Sequence, residues 1–198
     1  MIKLGITGGI GSGKSVVSHI LSVMNIPVYQ TDDESKRLVV ENEEIRNGLT
    51  NLVGKDIYKP DGSLDKAMLA NYIFGFPEHM QKVNNIIHPV VKQDFVRWAN
   101  QFADKQRFVA VECAILYESG FDALVDKTIL VSAPLELRVR RAMLRDKAEE
   151  KQIRARIKHQ MDEQLLYDKA QFIVSNDDEH LLIPQILEII HTLEISRN

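Results

Sequence analysis

Two hydrophobic rhythms alternate along the chain, and the places where one gives way to the other mark its elements. Ile2-Lys-Leu-Gly-Ile-Thr7 is short, mostly apolar and followed by glycines, which predicts a buried strand. Val16-Val17-Ser-His-Ile20-Leu21-Ser-Val23-Met24 is apolar at helical spacing and predicts a helix. Positions 26–30 read as a second strand and 35–40 as a second helix, with Thr31 and Glu34 matching a capping box. The stretch 43–102 is helical and strand-poor. It predicts a helix over 44–52, a turn at Lys59-Pro-Asp-Gly62, and a helix over 64–74 capped by Ser63. A further helix opens at Pro77 and is interrupted or restarted by Pro89. Strands return at 107–112, 127–132 and 172–174. Between the last two lie a helix opened by Pro134 and a second helix over 149–161, and an amphipathic helix over 181–193 follows.

Five short strands alternating with helices predict an α/β fold, a five-stranded parallel sheet flanked by helices. The expected core is 1–42, 104–137 and 170–198, with a helical substrate-binding lobe over 43–103 and a lid over 138–169. All belong to one domain, as 198 residues suit.

Composition narrows the classes. The chain is 44% hydrophobic and 27% charged, ordinary for a globular protein, and no apolar run reaches membrane-spanning length. A net charge of −3 gives no bulk attraction to nucleic acid or to an anionic membrane. One cysteine, Cys113, leaves no internal disulfide and no cysteine-rich zinc site, and its apolar neighbours predict a plain buried thiol. The expectation is a cytoplasmic protein, a monomer or small homo-oligomer, without nucleic-acid or membrane partners.

The chemistry concentrates first in Gly8-Gly-Ile-Gly-Ser-Gly-Lys14-Ser15, which lies between the first strand and the first helix. In that context G-x-x-x-x-G-K-[ST] is a phosphate-binding loop. Its glycines let consecutive N–H groups turn inward around phosphate oxygens, and the helix adds its N-terminal dipole. Backbone amides of Gly11, Ser12, Gly13, Lys14 and Ser15 are expected to hold the β-phosphate, with Val16 next in line. Lys14 supplies a point charge for the β- and γ-phosphates, and the Ser15 hydroxyl can ligate Mg²⁺. A nucleoside triphosphate with Mg²⁺ is the expected ligand.

Two further groups frame the loop. Asp32 lies just past the second strand, where open α/β sheets place ligands, and can accept a proton from an attacking hydroxyl. Asp32 and Asp33 can equally serve the dipole of a first helical turn. Glu112 ends the third strand and is open to a role on Mg²⁺ or substrate, or to plain solvation. Arg138, Arg141 and Arg145 share one helix face at i, i+3 and i+7. Either that face is solvated, or its guanidinium groups close over transferring phosphate as part of a water-excluding lid. Phe74, Phe76, Phe95, Trp98 and Phe102 are open to two readings, helical core or contacts for a pantetheine-like ligand.

With these residues in view the sequence resembles the dephospho-CoA kinase family nearly end to end. The likeness rests on Gly5-Ile-Thr-Gly-Gly-Ile-Gly-Ser-Gly-Lys-Ser15, and on Asp32 at the second aspartate of a D-A-D segment. It continues through Ile73-Phe74, Pro77-Glu78 and Ile87-His88-Pro89, then Ile115-Leu116-Tyr117-Glu118, and Arg141 with Arg145-Asp146. The resemblance implies transfer of the ATP γ-phosphoryl group to the 3′-hydroxyl of the dephospho-CoA ribose. It implies Asp32, Lys14 and Arg141 as catalytic, and Arg145 and Asn176 as ATP contacts. Asp32, His88, Glu112, Leu116 and Tyr117 then face the substrate dephospho-CoA. Gln30 and Thr31 depart from the first two residues of D-A-D, Val16 from a usual threonine, Ala114 from a proline and Glu112 from an aspartate.

Two other classes fit part of the pattern. A nucleoside monophosphate or shikimate kinase differs only in its acceptor. A GTPase-like switch would carry an N-K-x-D guanine motif, which this sequence lacks.

Overall fold

The computed structural model describes residues 1–195; the last three positions of the expected core segment 170–198 lie outside the described residues. In chain order the elements are β1 (Ile2–Thr7), α1 (Lys14–Val23), β2 (Val28–Gln30), α2 (Thr31–Glu41), α3 (Glu43–Val53), α4 (Lys66–Ile73) and α5 (Pro77–Asn100). There follow β3 (Phe108–Glu112), β4 (Lys127–Ser132), α6 (Leu135–Asp146), α7 (Glu150–Lys158), α8 (Glu163–Lys169), β5 (Phe172–Ser175) and α9 (Leu182–Ile195). The chain forms two compact units, Met1–Tyr29 with Gln101–Asn198, and Gln30–Asn100.

The strands form one sheet in the order β2-β3-β1-β4-β5. β1 pairs in parallel with β3 on one side and β4 on the other, and β4 pairs in parallel with β5. The two-residue period sorts the side chains by face. Leu4 and Ile6 join Val17 and Leu21 of α1 and Ile186, Ile189 and Leu193 of α9 in one core. Leu4 and Ile6 are fully buried, each worth about 2 kcal/mol in transfer terms. On the opposite face Gly5 leaves room for Leu116, whose Cδ2 lies 3.0 Å from where a Cβ would stand. The crossover from β3 to β4 passes β1, so connections diverge at the carboxyl end of β1, where such sheets place their ligands.

The second unit is helical. α5 runs unbroken through Pro89, contrary to the expected interruption. Proline removes one helical donor, but buried Val83 before it and Val90, Val91, Phe95 and Ala99 after it anchor both halves of the helix. Two expected caps also move. α2 begins at Thr31 itself, with Gln30 at the N-cap and no side-chain bond, so the Thr31–Glu34 box does not form. α4 is capped by Asp65, which accepts the Met68 N–H at 2.9 Å, while Ser63 donates its hydroxyl to Asp61 at 2.6 Å. A carboxylate beside the first turn is the stronger acceptor. The aromatic set divides: Phe95 is fully buried, whereas Phe74 is 84% exposed.

The expected helix over 149–161 is shorter. It ends at Lys158, and α8, capped by Asp162 on the Gln164 N–H, follows as a separate helix. Cys113 is buried. Among the described residues no helix is long and apolar enough to cross a membrane.

Candidate active site

Residues Gly8–Ser15 curl between β1 and α1 in a path that requires glycine at particular positions. Gly13 has φ +93° and forms the N-cap of α1, and a Cβ there would collide with the side-chain amide of Asn176. Gly11 has φ +76°, and a Cβ there would overlap the backbone carbonyl of Arg138. No side chain caps α1 and no acid lies in its first turn. A helix N-terminus left in that condition is suited to an anion. Lys14 Nζ donates to the carbonyls of Gly8 at 2.7 Å and Gly9 at 3.2 Å, which holds the ammonium over the loop. Ser15 and Val16 are exposed in the first turn of α1. Ser12 is 1% exposed and its hydroxyl has no partner among the described residues.

The arginine face of α6 is answered from within the chain, which offsets the repulsion of three like charges. Arg138 is 5% exposed; its Nε donates to the Ile10 carbonyl at 3.1 Å and its Nη1 to Glu163 Oε2 at 3.0 Å. It braces the loop. Arg141 donates from Nη1 to the Asn176 carbonyl at 2.9 Å and from Nη2 to Asp178 Oδ1 at 2.5 Å. Asn176 donates in turn to the Ser12 carbonyl at 2.8 Å, so Arg141, Asn176 and the loop form one hydrogen-bonded chain. Arg145 donates from Nε to Asp146 Oδ1 at 2.7 Å, and Arg156 of α7 donates to the other oxygen at 2.6 Å. These bonds, first that from Arg145 and then that from Arg156, hold the Asp146 carboxyl at about 2, below the ordinary carboxylate range.

Glu112 is half-buried at the end of β3, in register with Ile6 one residue before the end of β1. Leu116 and Tyr117, expected to face substrate, are placed otherwise. Leu116 is fully buried beneath the sheet, against Gly5. The Tyr117 hydroxyl donates to Thr128 Oγ1 at 3.0 Å, and Thr128 lies in register with Gly5, near the amino end of β4. The chain turns back after β3 to cover the sheet face, which takes both side chains away from the carboxyl edge. Burial pushes the Tyr117 hydroxyl's pKa up.

In the helical unit, Asp32 is exposed in the first turn of α2, and its charge acts on Lys36 only at a distance. Its neighbours differ: Asp33 pairs with Lys36 at 2.8 Å and Glu34 with Arg37 at 2.7 Å. His88 is half-buried in α5, and burial, then Lys92, pushes its pKa down, so its ring is neutral at pH 7.

Sequence reading missed Gln160, which accepts the Ile10 N–H at 2.8 Å, and the bracing role of Arg138. A polar residue between two helices carries no sequence signal of its own. Arg138 stood out in sequence only as one cation of a row.

A parallel sheet in this order, a glycine-rich loop between β1 and α1, and an arginine-bearing helix after β4 define a P-loop kinase. Within that class, the dephospho-CoA kinase family profile matches residues 2–181, and the chain belongs to that family. A dephospho-CoA kinase of Bacteroides fragilis is 50% identical over 189 residues, covering 96% of this chain and 91% of the relative. One from Porphyromonas gingivalis is 44% identical over 198 residues, covering 100% and 96%. The solved dephospho-CoA kinase of Campylobacter jejuni superposes with a TM-score of 0.72 over 99% of this chain and 98% of that one; at 23% identity it speaks for the fold.

Proposed function

We infer that this chain is an ATP-dependent kinase that phosphorylates the 3′-hydroxyl of the dephospho-CoA ribose, giving coenzyme A and ADP in the last step of CoA biosynthesis. The observation that carries this reading is the family match over residues 2–181, which takes in β1 and the whole phosphate loop.

The division of labour follows from the residues. The ribose O3′ attacks the γ-phosphorus, the bond from that phosphorus to the β–γ bridging oxygen breaks, and ADP leaves with the bond's electrons. Asp32, an exposed carboxylate, takes the proton of the 3′-hydroxyl. Backbone amides from Gly11 to Ser15 hold the β-phosphate. Lys14 and Arg141 spread the charge that develops on the transferring group, and Arg145 and Asn176 line the nucleotide. Glu112 and His88 face dephospho-CoA, which the helical lobe over 43–103 accepts, and residues 138–169 form the lid. The donor set suits Mg²⁺: Ser15 offers one exposed hydroxyl, and no cluster of three or more His, Cys, Asp or Glu is present among the described residues to cage a metal. Ser15 would hold such an ion. Bound there, Mg²⁺ supplies charge neutralisation. The enzyme works in the cytoplasm as a monomer or small homo-oligomer without nucleic-acid or membrane partners; a net charge of −3 supports the nucleic-acid part.

The test is ADP release with Mg-ATP, offering dephospho-CoA beside AMP, CMP and shikimate. Turnover with dephospho-CoA alone, with the new phosphate on O3′, is the expected result. Turnover only with a monophosphate or shikimate discards the acceptor and keeps the loop.

A further inference from the structure

Ile10, at the tip of the phosphate loop, is held from three sides by the elements that follow β4. Its N–H donates to Gln160 Oε1 at 2.8 Å, and its carbonyl accepts from Arg138 Nε at 3.1 Å. Its side chain packs against Val139 and Ala142 of α6 and Ile153 of α7. Arg138 is itself anchored by Glu163 of α8. Gln160 lies between α7 and α8, outside any helix.

We propose that Gln160 is a positioning residue for ATP. Together with Arg138 it pins both polar groups of the Ile10 backbone, and so sets the direction in which the N–H groups after Ile10 point. This rests on the reading that Gly8–Ser15 holds the ATP phosphates. Ile10 is followed by Gly11 and preceded by Gly8 and Gly9, residues that leave the peptide planes around it free to rotate. An anion cradle built from such a segment is preorganised only if something outside it fixes the planes, and preorganised donors spare reorganisation on binding. A single acceptor from Gln160 on the N–H and a single donor from Arg138 on the carbonyl do this. The loop's geometry is thereby slaved to the joint between α7 and α8, so displacement of that joint lowers affinity for ATP.

Gln160→Met keeps the side chain's length and volume and removes the acceptor. Three quantities are measured: amide hydrogen exchange at Ile10, the Kd for Mg-ATP, and the KM for dephospho-CoA. The expected result is faster exchange at Ile10, a Kd for Mg-ATP weakened about 2- to 10-fold, the scale of one lost neutral hydrogen bond, and an unchanged KM for dephospho-CoA. Gln160→Glu restores an acceptor of the same length and returns the Ile10 amide to slow exchange. If Gln160 merely fills space, Gln160→Met leaves Ile10 exchange and the Kd at wild-type values, and the positioning role is overturned. It is overturned as well if Gln160→Glu leaves the Ile10 amide as fast as in Gln160→Met. A different failure, wild-type protein that does not bind Mg-ATP while Ile10 exchange still depends on Gln160, removes the ATP-site reading and the positioning role with it.

Discussion

Asn176 and Ser12 are joined across 164 positions of sequence: the Asn176 Nδ2 donates to the Ser12 carbonyl at 2.8 Å. The same amide occupies the space a side chain at Gly13 would need, and the Asn176 backbone carbonyl accepts from Arg141. One asparagine after β5 thus fixes the loop that follows β1 and an arginine from the helix that follows β4. Asn176→Ala removes one neutral hydrogen bond and its packing. We expect KM for ATP to rise about 5-fold and Tm to fall about 3 °C, read by steady-state kinetics and thermal unfolding.

Lys14→Ala removes the point charge held over the loop by the Gly8 and Gly9 carbonyls. Turnover is expected to drop roughly 100-fold or more with weaker triphosphate binding, the scale of one lost transition-state donor. Equal turnover in this variant would withdraw the phosphate-loop assignment.

Asp32→Asn separates the two roles open to that carboxylate. As a general base, its loss lowers kcat roughly 100-fold or more and leaves ATP affinity intact. An unchanged kcat with a small loss of stability instead returns Asp32 to the dipole of α2, beside Asp33 and Glu34.

Asp146 supplies a pH-dependent contribution. Its folded pKa of about 2 lies below the ordinary carboxylate value, because Arg145 and Arg156 donate to the charged form. The stabilisation is therefore complete above the unfolded value of about 4 and is lost as pH falls through about 2. Wild type and Asp146→Asn should differ in Tm at pH 7, wild type being higher, and converge by about pH 2. A gap that persists unchanged at pH 2 would assign the effect to packing.

What was legible in the sequence was whatever is written in local pattern. β4 occupies the positions its apolar run predicts, and Pro77 opens α5 as a proline at a first helical position should. The phosphate loop was legible because its glycines answer a backbone requirement that no other residue meets cheaply. The misplacements come from competition, in one case between local residues and in the others decided by tertiary neighbours. Ser63 lost its cap to Asp65, and Pro89 was carried by buried residues on both sides. Leu116 and Tyr117 were assigned to substrate by resemblance, yet the chain's return over the sheet buries the first and ties the second to Thr128. Arg138 read as one of three equivalent cations, and only its contacts with Ile10 and Glu163 distinguish it.

The intrusion of Arg138 into the loop has a consequence for anyone rebuilding this protein. A Cβ at Gly9 would meet the Arg138 guanidinium, and one at Gly11 would meet the Arg138 backbone. The glycines at these places answer to a helix more than 120 positions away in the sequence as well as to a nucleotide. Segment 8–15 is consequently not a portable cassette. A chimera that imports another kinase's loop with a side chain at position 9 needs a different residue at 138, whereas a side chain at position 11 meets the backbone of α6 whatever residue stands at 138.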